Sequence, residues 1–121
     1  MKKLLITLLL ISPFSFADWG DVYYCQMTSF STLSLEGKRT DRILENVQFK
    51  LDKTKNAMVF GSSGYFTNHE MKLKPGNHWP SIETWFSDDQ FDHAFFEKGK
   101  FLYSYTGKAG LSTIHANCDK F

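Results

Sequence analysis

The chain has 121 residues, of which 42% are hydrophobic, 17% aromatic and 22% charged, and its formal net charge is +1. A near-neutral composition this rich in aromatic residues excludes an intrinsically disordered chain and disfavours a nucleic-acid partner. The length suits one compact domain.

The first residues have the pattern of a secretory signal peptide. Two lysines precede a largely apolar run over 4–11, and a small-x-small cleavage site follows at 15–17. The run is too short for a membrane-spanning helix, which needs about 20 residues. We therefore predict a signal peptide over 1–17 and a periplasmic or secreted location. The mature protein would be a single β domain over 18–121, with no membrane insertion after cleavage and 12 basic against 13 acidic side chains.

The mature sequence alternates between apolar and polar residues with a period of two, which is typical of half-buried β-strands. The clearest segment places Ile43, Val47, Phe49 and Leu51 on one face. Turn-forming residues separate this segment from its neighbours. We predict strands at about 21–30, 43–52, 57–61, 64–73, 81–87, 91–97, 100–106 and 111–117.

The two cysteines, Cys25 and Cys118, lie close to the ends of the mature chain. In an oxidising compartment an isolated pair indicates one intramolecular disulfide, with two buried thiols or an intermolecular bond as alternatives. The bond requires Cα atoms within about 7 Å of each other. In an up-and-down meander the first and last strands meet only if the sheet closes. We therefore predict an all-β fold.

The predicted architecture is a small antiparallel meander of about eight strands that forms a closed or nearly closed barrel. Its terminal strands are joined by the disulfide. A β-sandwich with adjacent terminal strands is the alternative, because it would also satisfy the bond.

Aromatic side chains in a predicted loop, beside a glycine-rich turn and on one predicted strand indicate a contact surface. His78 and Trp79 fall in a predicted loop, Trp85 lies beside Phe86 on the opposite face of a strand, and Ser63 and Tyr65 lie around a glycine-rich turn. Such side chains could bind an apolar ligand, a sugar ring or a protein partner. The alternative is that the aromatic side chains fill the barrel interior.

Motifs for catalysis or metal binding do not occur in the sequence. The four histidines, at 69, 78, 93 and 115, lack the tight spacing of metal-binding motifs. The Gly-Ser-Ser-Gly segment at 61–64 lacks the spacing of a nucleophile elbow. We therefore predict a non-catalytic binding protein without metal or cofactor, with an enzyme as the less favoured alternative.

One further function is implied by a family resemblance. The segment Val22-Tyr23-Tyr24-Cys25, with a partner cysteine near the C-terminus, resembles the periplasmic inhibitors of c-type lysozyme. Those are small exported antiparallel β-barrels with a disulfide between their terminal regions and an inhibitory loop of pattern Ser-Gly-x-x-Tyr. Here Ser63-Gly64-Tyr65 brings the tyrosine two positions early. In that family an aromatic-rich strand ending in Lys-Gly follows the loop shortly, whereas here Phe95-Phe96-Glu97-Lys98-Gly99 lies some 30 residues downstream. The resemblance implies lysozyme inhibition through Ser63 and Tyr65.

Overall fold

The computed structural model describes residues 17–74 and 85–121, and within them the chain forms nine β-strands. None of these residues belongs to a helix long and apolar enough to cross a membrane. The strands are β1 Val22–Leu33, β2 Arg39–Asp41, β3 Asn46–Asp52, β4 Ala57–Phe60, β5 Glu70–Lys72, β6 Trp85–Asp88, β7 Asp92–Glu97, β8 Lys100–Gly107 and β9 Gly110–Lys120.

All nine strands belong to one antiparallel sheet in the order β5-β4-β3-β1-β9-β8-β7-β6, with β2 also paired to β1. One edge of β1 pairs with β9 along most of its length. The other edge pairs with β3 over Val22–Gln26 and with β2 over Ser31–Leu33. Because β2 and β3 follow one another along the same edge, the sheet has eight strand positions.

The sheet curls into a nearly closed barrel, which confirms the prediction of a barrel rather than a sandwich. Its outermost strands, β5 and β6, approach each other where the chain leaves β5. There the N–H of Lys74 donates a hydrogen bond of 2.9 Å to the carbonyl of Phe86. The seam of the barrel therefore lies between β5 and β6, and the strands at the two ends of the sequence pair directly.

The predicted disulfide joins Cys25 of β1 to Cys118 of β9, as expected. The two residues are direct partners in the β1–β9 ladder, and their Cα atoms are 3.9 Å apart. The bond spans 93 residues of sequence but reinforces contacts between two neighbouring strands.

Aromatic side chains that alternate along the strands fill much of the barrel interior. Phe49, Phe96 and Phe101 are fully buried. The Phe49 ring lies 5.1 Å from that of Phe96 and 5.8 Å from that of Phe101. Full burial of a side chain of this size stabilises the fold by about 1.5–3 kcal/mol. The core therefore runs along the barrel axis.

The predicted strand at 43–52 is wrong in its first residues. The strand begins at Asn46, and Ile43, which we expected on the buried face, is 84% exposed. Here the chain passes from β2, which pairs with the C-terminal part of β1, to β3, which pairs with the N-terminal part of β1. The N–H of Arg42 donates to the carbonyl of Phe30, and the carbonyl of Glu45 accepts from Met27. These bonds hold 42–45 beside β1 without turning Ile43 inward.

The predicted strand at 64–73 is also wrong for most of its length, because only Glu70–Lys72 is extended and paired. Residues 61–69 form a series of turns instead. Gly64 and Asn68 have φ angles of 98° and 59°, which lie in the left-handed region and interrupt a strand. Of the predicted strand at 81–87, the described part begins at Trp85.

Candidate functional site

A pocket of about 550 Å³ opens at one end of the barrel. Inward-facing side chains of β7, β8 and β9 form half of its lining, and the loop 61–69 supplies the other half. We call it the mouth pocket. The residues that line it are Tyr65, Phe66, Thr67, His69, Asp92, Tyr103, Tyr105 and Ser112.

Strand register brings the wall residues to one level of the barrel. Asp92 of β7 pairs with Tyr105 of β8, which pairs in turn with Ser112 of β9. Tyr103 and Tyr105 follow Phe101 at a spacing of two residues, so all three side chains point toward the interior. The pocket therefore continues the barrel core toward this end of the barrel.

The loop 61–69 completes the wall and is fixed by backbone hydrogen bonds to β3. The N–H of Tyr65 donates to the carbonyl of Asn46 over 2.9 Å, and the N–H of Gly61 donates to the carbonyl of Gln48 over 3.0 Å. Within the loop, the Thr67 hydroxyl donates to the carbonyl of Gly64 over 2.6 Å. The Tyr65 side chain is consequently held over the mouth by an ordered loop.

The aromatic walls of the mouth pocket meet at steep angles. The ring of Phe66 is buried and forms the floor. Its centroid lies 4.8 Å from that of Tyr65 at an interplanar angle of 83°, and 4.7 Å from that of Tyr103 at 69°. Tyr65 also contacts Phe30 at 5.0 Å, whereas Tyr105 stands at the rim with 42% of its surface exposed. The rings form an open box.

A carboxylate and three tyrosine hydroxyls converge in this box. The Tyr103 hydroxyl donates a hydrogen bond of 3.2 Å to Oδ2 of Asp92. Burial raises the pKa of Tyr103 well above its usual value, and the charge of Asp92, the hydrogen bond to it, and the hydroxyls of Tyr65 and Tyr105 raise the pKa further. Tyr103 is therefore protonated at neutral pH and acts as a donor to Asp92.

The structure separates the residues that we predicted as one contact surface. Tyr65 lines the mouth pocket, while Ser63 is exposed and turns its hydroxyl toward the side-chain oxygen of Gln48 at 3.5 Å. Trp85 pairs with Phe96 near the opposite end of the barrel and meets Trp19 edge-to-face at 4.9 Å. The predicted site residues His78 and Trp79 lie outside the described residues.

Sequence reasoning did not single out Asp92, Tyr103 or Tyr105, although one signal for the tyrosines was present. Along β8 the inward positions change from Phe101 to Tyr103 and Tyr105, so hydroxyls appear toward one end of the strand. Asp92 ends an acidic run at 88–92, a composition that is typical of a solvated turn. Only the pairing of β7 with β8 brings its carboxylate against a tyrosine.

Other hollows and polar clusters in the described part of the chain are weaker candidates for a binding site. A second hollow, of about 270 Å³, lies on the outer face of β6–β9, with Phe86, Phe95 and Leu102 among its lining and no carboxylate. His115 shares a short hydrogen bond with the Thr28 hydroxyl, and His93 contacts Asp88. No group of three or more histidine, cysteine, aspartate or glutamate side chains in 17–74 and 85–121 could hold a metal ion.

Comparisons with known proteins gave no match to a protein-family model, a curated protein or a solved structure. The fold is an antiparallel barrel, and a fold alone does not define a function. The chemistry of the mouth pocket is therefore the basis for proposing one.

Proposed function

We propose that the protein is an exported, non-catalytic binding protein that takes a small ligand into the mouth pocket. Ligand pockets are commonly found in the mouths of β-barrels and have volumes of about 300–1,000 Å³. They combine apolar walls with a few convergent polar groups. The mouth pocket has this composition, with four aromatic rings around the carboxylate of Asp92.

The observation that carries the proposal is the fixed position of the walls around an open volume. Tyr103 is anchored to Asp92, and Tyr65 belongs to a loop hydrogen-bonded to β3. Side chains that are ordered before a ligand arrives lose little conformational freedom on binding, which favours affinity. The barrel core below the pocket is filled by Phe66 and Phe101, so a ligand would sit at the mouth.

Export is the second part of the proposal. It is supported by the signal-peptide pattern over 1–17 and by the Cys25–Cys118 disulfide, because disulfides persist in oxidising compartments. Expression of the full chain followed by mass measurement of the exported product tests it. A mature chain that starts at residue 18 is expected, and full-length protein retained in the cytoplasm would contradict export.

A binding experiment tests the first part. The oxidised chain is titrated with a panel of small apolar, sugar, anionic and cationic compounds while the backbone amide shifts are recorded. We expect at least one compound to shift the signals of the mouth-pocket residues and to lose affinity in Tyr105→Ala. The matched control is Tyr24→Ala, since Tyr24 has a similar exposure of 44% but lies at the opposite end of the barrel. A panel that leaves the mouth signals unmoved would refute ligand binding there.

Lysozyme inhibition is the second candidate. Ser63 and Tyr65 are both exposed on the loop 61–69, which is anchored to β3, and an ordered loop with exposed side chains suits a protein inhibitor. The test is a c-type lysozyme activity assay with the oxidised chain and with Tyr65→Ala. Inhibition that disappears in the variant would support this function, and no inhibition at micromolar protein would exclude it.

A further inference from the structure

The mouth pocket contains a negative charge that lacks a basic partner in the described structure. Asp92 is half-buried, and Tyr103 is the hydrogen-bond partner of its carboxylate among residues 17–74 and 85–121. Among those residues, no lysine, arginine or histidine nitrogen lies within ion-pair distance of the Asp92 carboxylate. By contrast, Asp21 at the other end of the barrel pairs with Lys120 at 3.3 Å.

The described lining of the pocket includes the imidazole of His69, which forms no ion pair with Asp92, but no lysine or arginine to offset this charge. A half-buried carboxylate is costly when it is not compensated, and the Tyr103 hydroxyl satisfies only part of its hydrogen-bonding capacity. An anionic ligand would be repelled. A neutral sugar could donate hydrogen bonds to Asp92 but would leave the charge uncompensated, whereas a cation would neutralise it.

The aromatic rings add a second attraction for a positive charge. The faces of aromatic rings carry negative electrostatic potential, and a cation over such a face gains about 0.5–2 kcal/mol. The rings of Tyr65, Phe66 and Tyr103 meet at 69° to 83°, so a small group in the pocket would face more than one of them.

The same aromatic cluster already holds one cation on its outer side. The guanidinium carbon of Arg42 lies 5.8 Å from the ring centroid of Phe30, and Phe30 contacts Tyr65. Arg42 does not line the mouth pocket, and its contact shows that one ring of this cluster, that of Phe30, packs against a positive group. Unlike the face of the Phe30 ring, the pocket also contains a carboxylate, that of Asp92.

We infer that the mouth pocket recognises an organic cation, an alkylated or primary ammonium group, with Asp92 as its counter-ion and Tyr65, Phe66, Tyr103 and Tyr105 as its aromatic walls. This inference rests on the proposed ligand-binding function and specifies its ligand class. The ammonium group could belong to a free amine or to a lysine side chain of a protein. Both sources present the same chemistry to the pocket.

The test titrates the oxidised chain with choline, with glucose as a neutral sugar, and with 3,3-dimethylbutan-1-ol (dimethylbutanol), in which carbon replaces the quaternary nitrogen of choline. Shape is thereby kept while charge is removed. We expect choline to shift the mouth-pocket signals and to bind at least tenfold more tightly than dimethylbutanol. A lysine-containing peptide forms a further arm, which distinguishes a protein side chain from a free amine as the source of the cation.

Two variants assign the effect to the pocket. Asp92→Asn keeps an acceptor for Tyr103 but removes the charge, and it is expected to weaken choline binding at least tenfold. The matched control is Asp119→Asn, which changes the net charge equally on an exposed residue near the opposite end of the barrel. If Asp92→Asn does not fold, Tyr65→Leu removes one aromatic wall on the exposed loop and should weaken choline binding several-fold.

The outcomes separate the inference from the function on which it rests. If glucose or dimethylbutanol binds at the mouth as tightly as choline, or if neither Asp92→Asn nor Tyr65→Leu changes the affinity for choline, the cation inference is overturned and ligand binding stands. If none of the compounds, nor the peptide, shifts a mouth-pocket signal, both are overturned.

Discussion

The ring of Tyr105 lies over Gly107, so close that a Cβ on this glycine would stand 2.7 Å from Cε1 of the ring and 2.9 Å from its hydroxyl oxygen. Gly107 lies outside the left-handed region, so alanine suits its backbone. We therefore expect Gly107→Ala to fold with a stability change of about 1 kcal/mol or less. The new methyl group should displace Tyr105 from the rim and weaken binding at the mouth several-fold.

A double-mutant cycle checks that Gly107 acts through Tyr105. Affinity for choline is measured in Gly107→Ala, Tyr105→Ala and the double variant. If the glycine only positions the ring, the double variant binds like Tyr105→Ala alone. Additive losses would show that Gly107 affects the pocket by another route.

Gly64 is expected to be essential for the loop that carries Tyr65. Its φ is 98°, and a Cβ there would lie 2.7 Å from the carbonyl oxygen of Asn46, the acceptor of the Tyr65 N–H. Gly64→Ala should lower the free energy of unfolding by about 2–3 kcal/mol. The control is Gly37→Ala, where φ is 86° but nothing lies within 4 Å, so that only the backbone cost of about 1–2 kcal/mol applies. Equal effects in urea unfolding would contradict the Asn46 contact.

Removing the disulfide should destabilise the barrel strongly. In the chain-entropy model, a bond between residues 93 apart stabilises the folded state by about 4–5 kcal/mol. We expect a loss of this order in the double variant Cys25→Ala, Cys118→Ala, measured by urea unfolding. The intact chain with reductant provides an independent comparison, and mass spectrometry confirms the redox state. A loss below about 1 kcal/mol would mean that the β1–β9 ladder forms equally well without the bond.

Stability should fall steeply at alkaline pH because Tyr23 is buried as a neutral phenol. Burial, and then the nearby carboxylate of Asp21, raises the pKa of Tyr23 from 10.0 to about 12. Between these values the unfolded chain has released the proton and the folded chain retains it. The stabilising contribution is therefore complete below pH 10 and lost toward pH 12, at about 1.4 kcal/mol per pH unit. Urea unfolding at several pH values should show a shallower decline for Tyr23→Phe, and parallel curves would refute this assignment.

Two leucines from the same predicted strand should respond very differently to the same change. Leu51 is fully buried, whereas Leu44 is 52% exposed in the connection before β3. Leu51→Ala should cost about 2–5 kcal/mol because it leaves a cavity. Leu44→Ala should change the free energy of unfolding by about 0.5 kcal/mol or less. Comparable losses would indicate that Leu44 packs into the barrel after all.

The barrel and its disulfide could be predicted because alternation and the cysteine positions are local or simple signals. Val47, Phe49 and Leu51 alternate and are buried as expected. The same pattern was wrong at Ile43, because periodicity does not show that the chain passes there from β2 to β3, two strands that pair with different parts of β1. Around Tyr65, the left-handed Gly64 converts a predicted strand into a loop.

The site was harder to predict than the fold because its parts are brought together by strand register. Tyr65 was identified from the turn that it follows, but its partners lie on other strands. Asp92 and Tyr103 are 11 residues apart in sequence, and only the antiparallel pairing of β7 with β8 brings hydroxyl and carboxylate together. The signal for that register was the two-residue turn Lys98-Gly99, whose φ angles of 50° and 77° pair Glu97 with Lys100 and so align β7 with β8, and sequence reasoning did not use it.

The direct pairing of the first and last strands also determines where the molecule could be attached to a surface or to a carrier protein. The N–H of Phe121 donates to the carbonyl of Val22, so both ends of the barrel sequence emerge side by side. Along β9, Lys120 and Ser112 are separated by eight residues, or about 26 Å of extended chain. Immobilisation on a sensor surface through either end, or fusion to a carrier there, would leave the mouth pocket facing outward into solution.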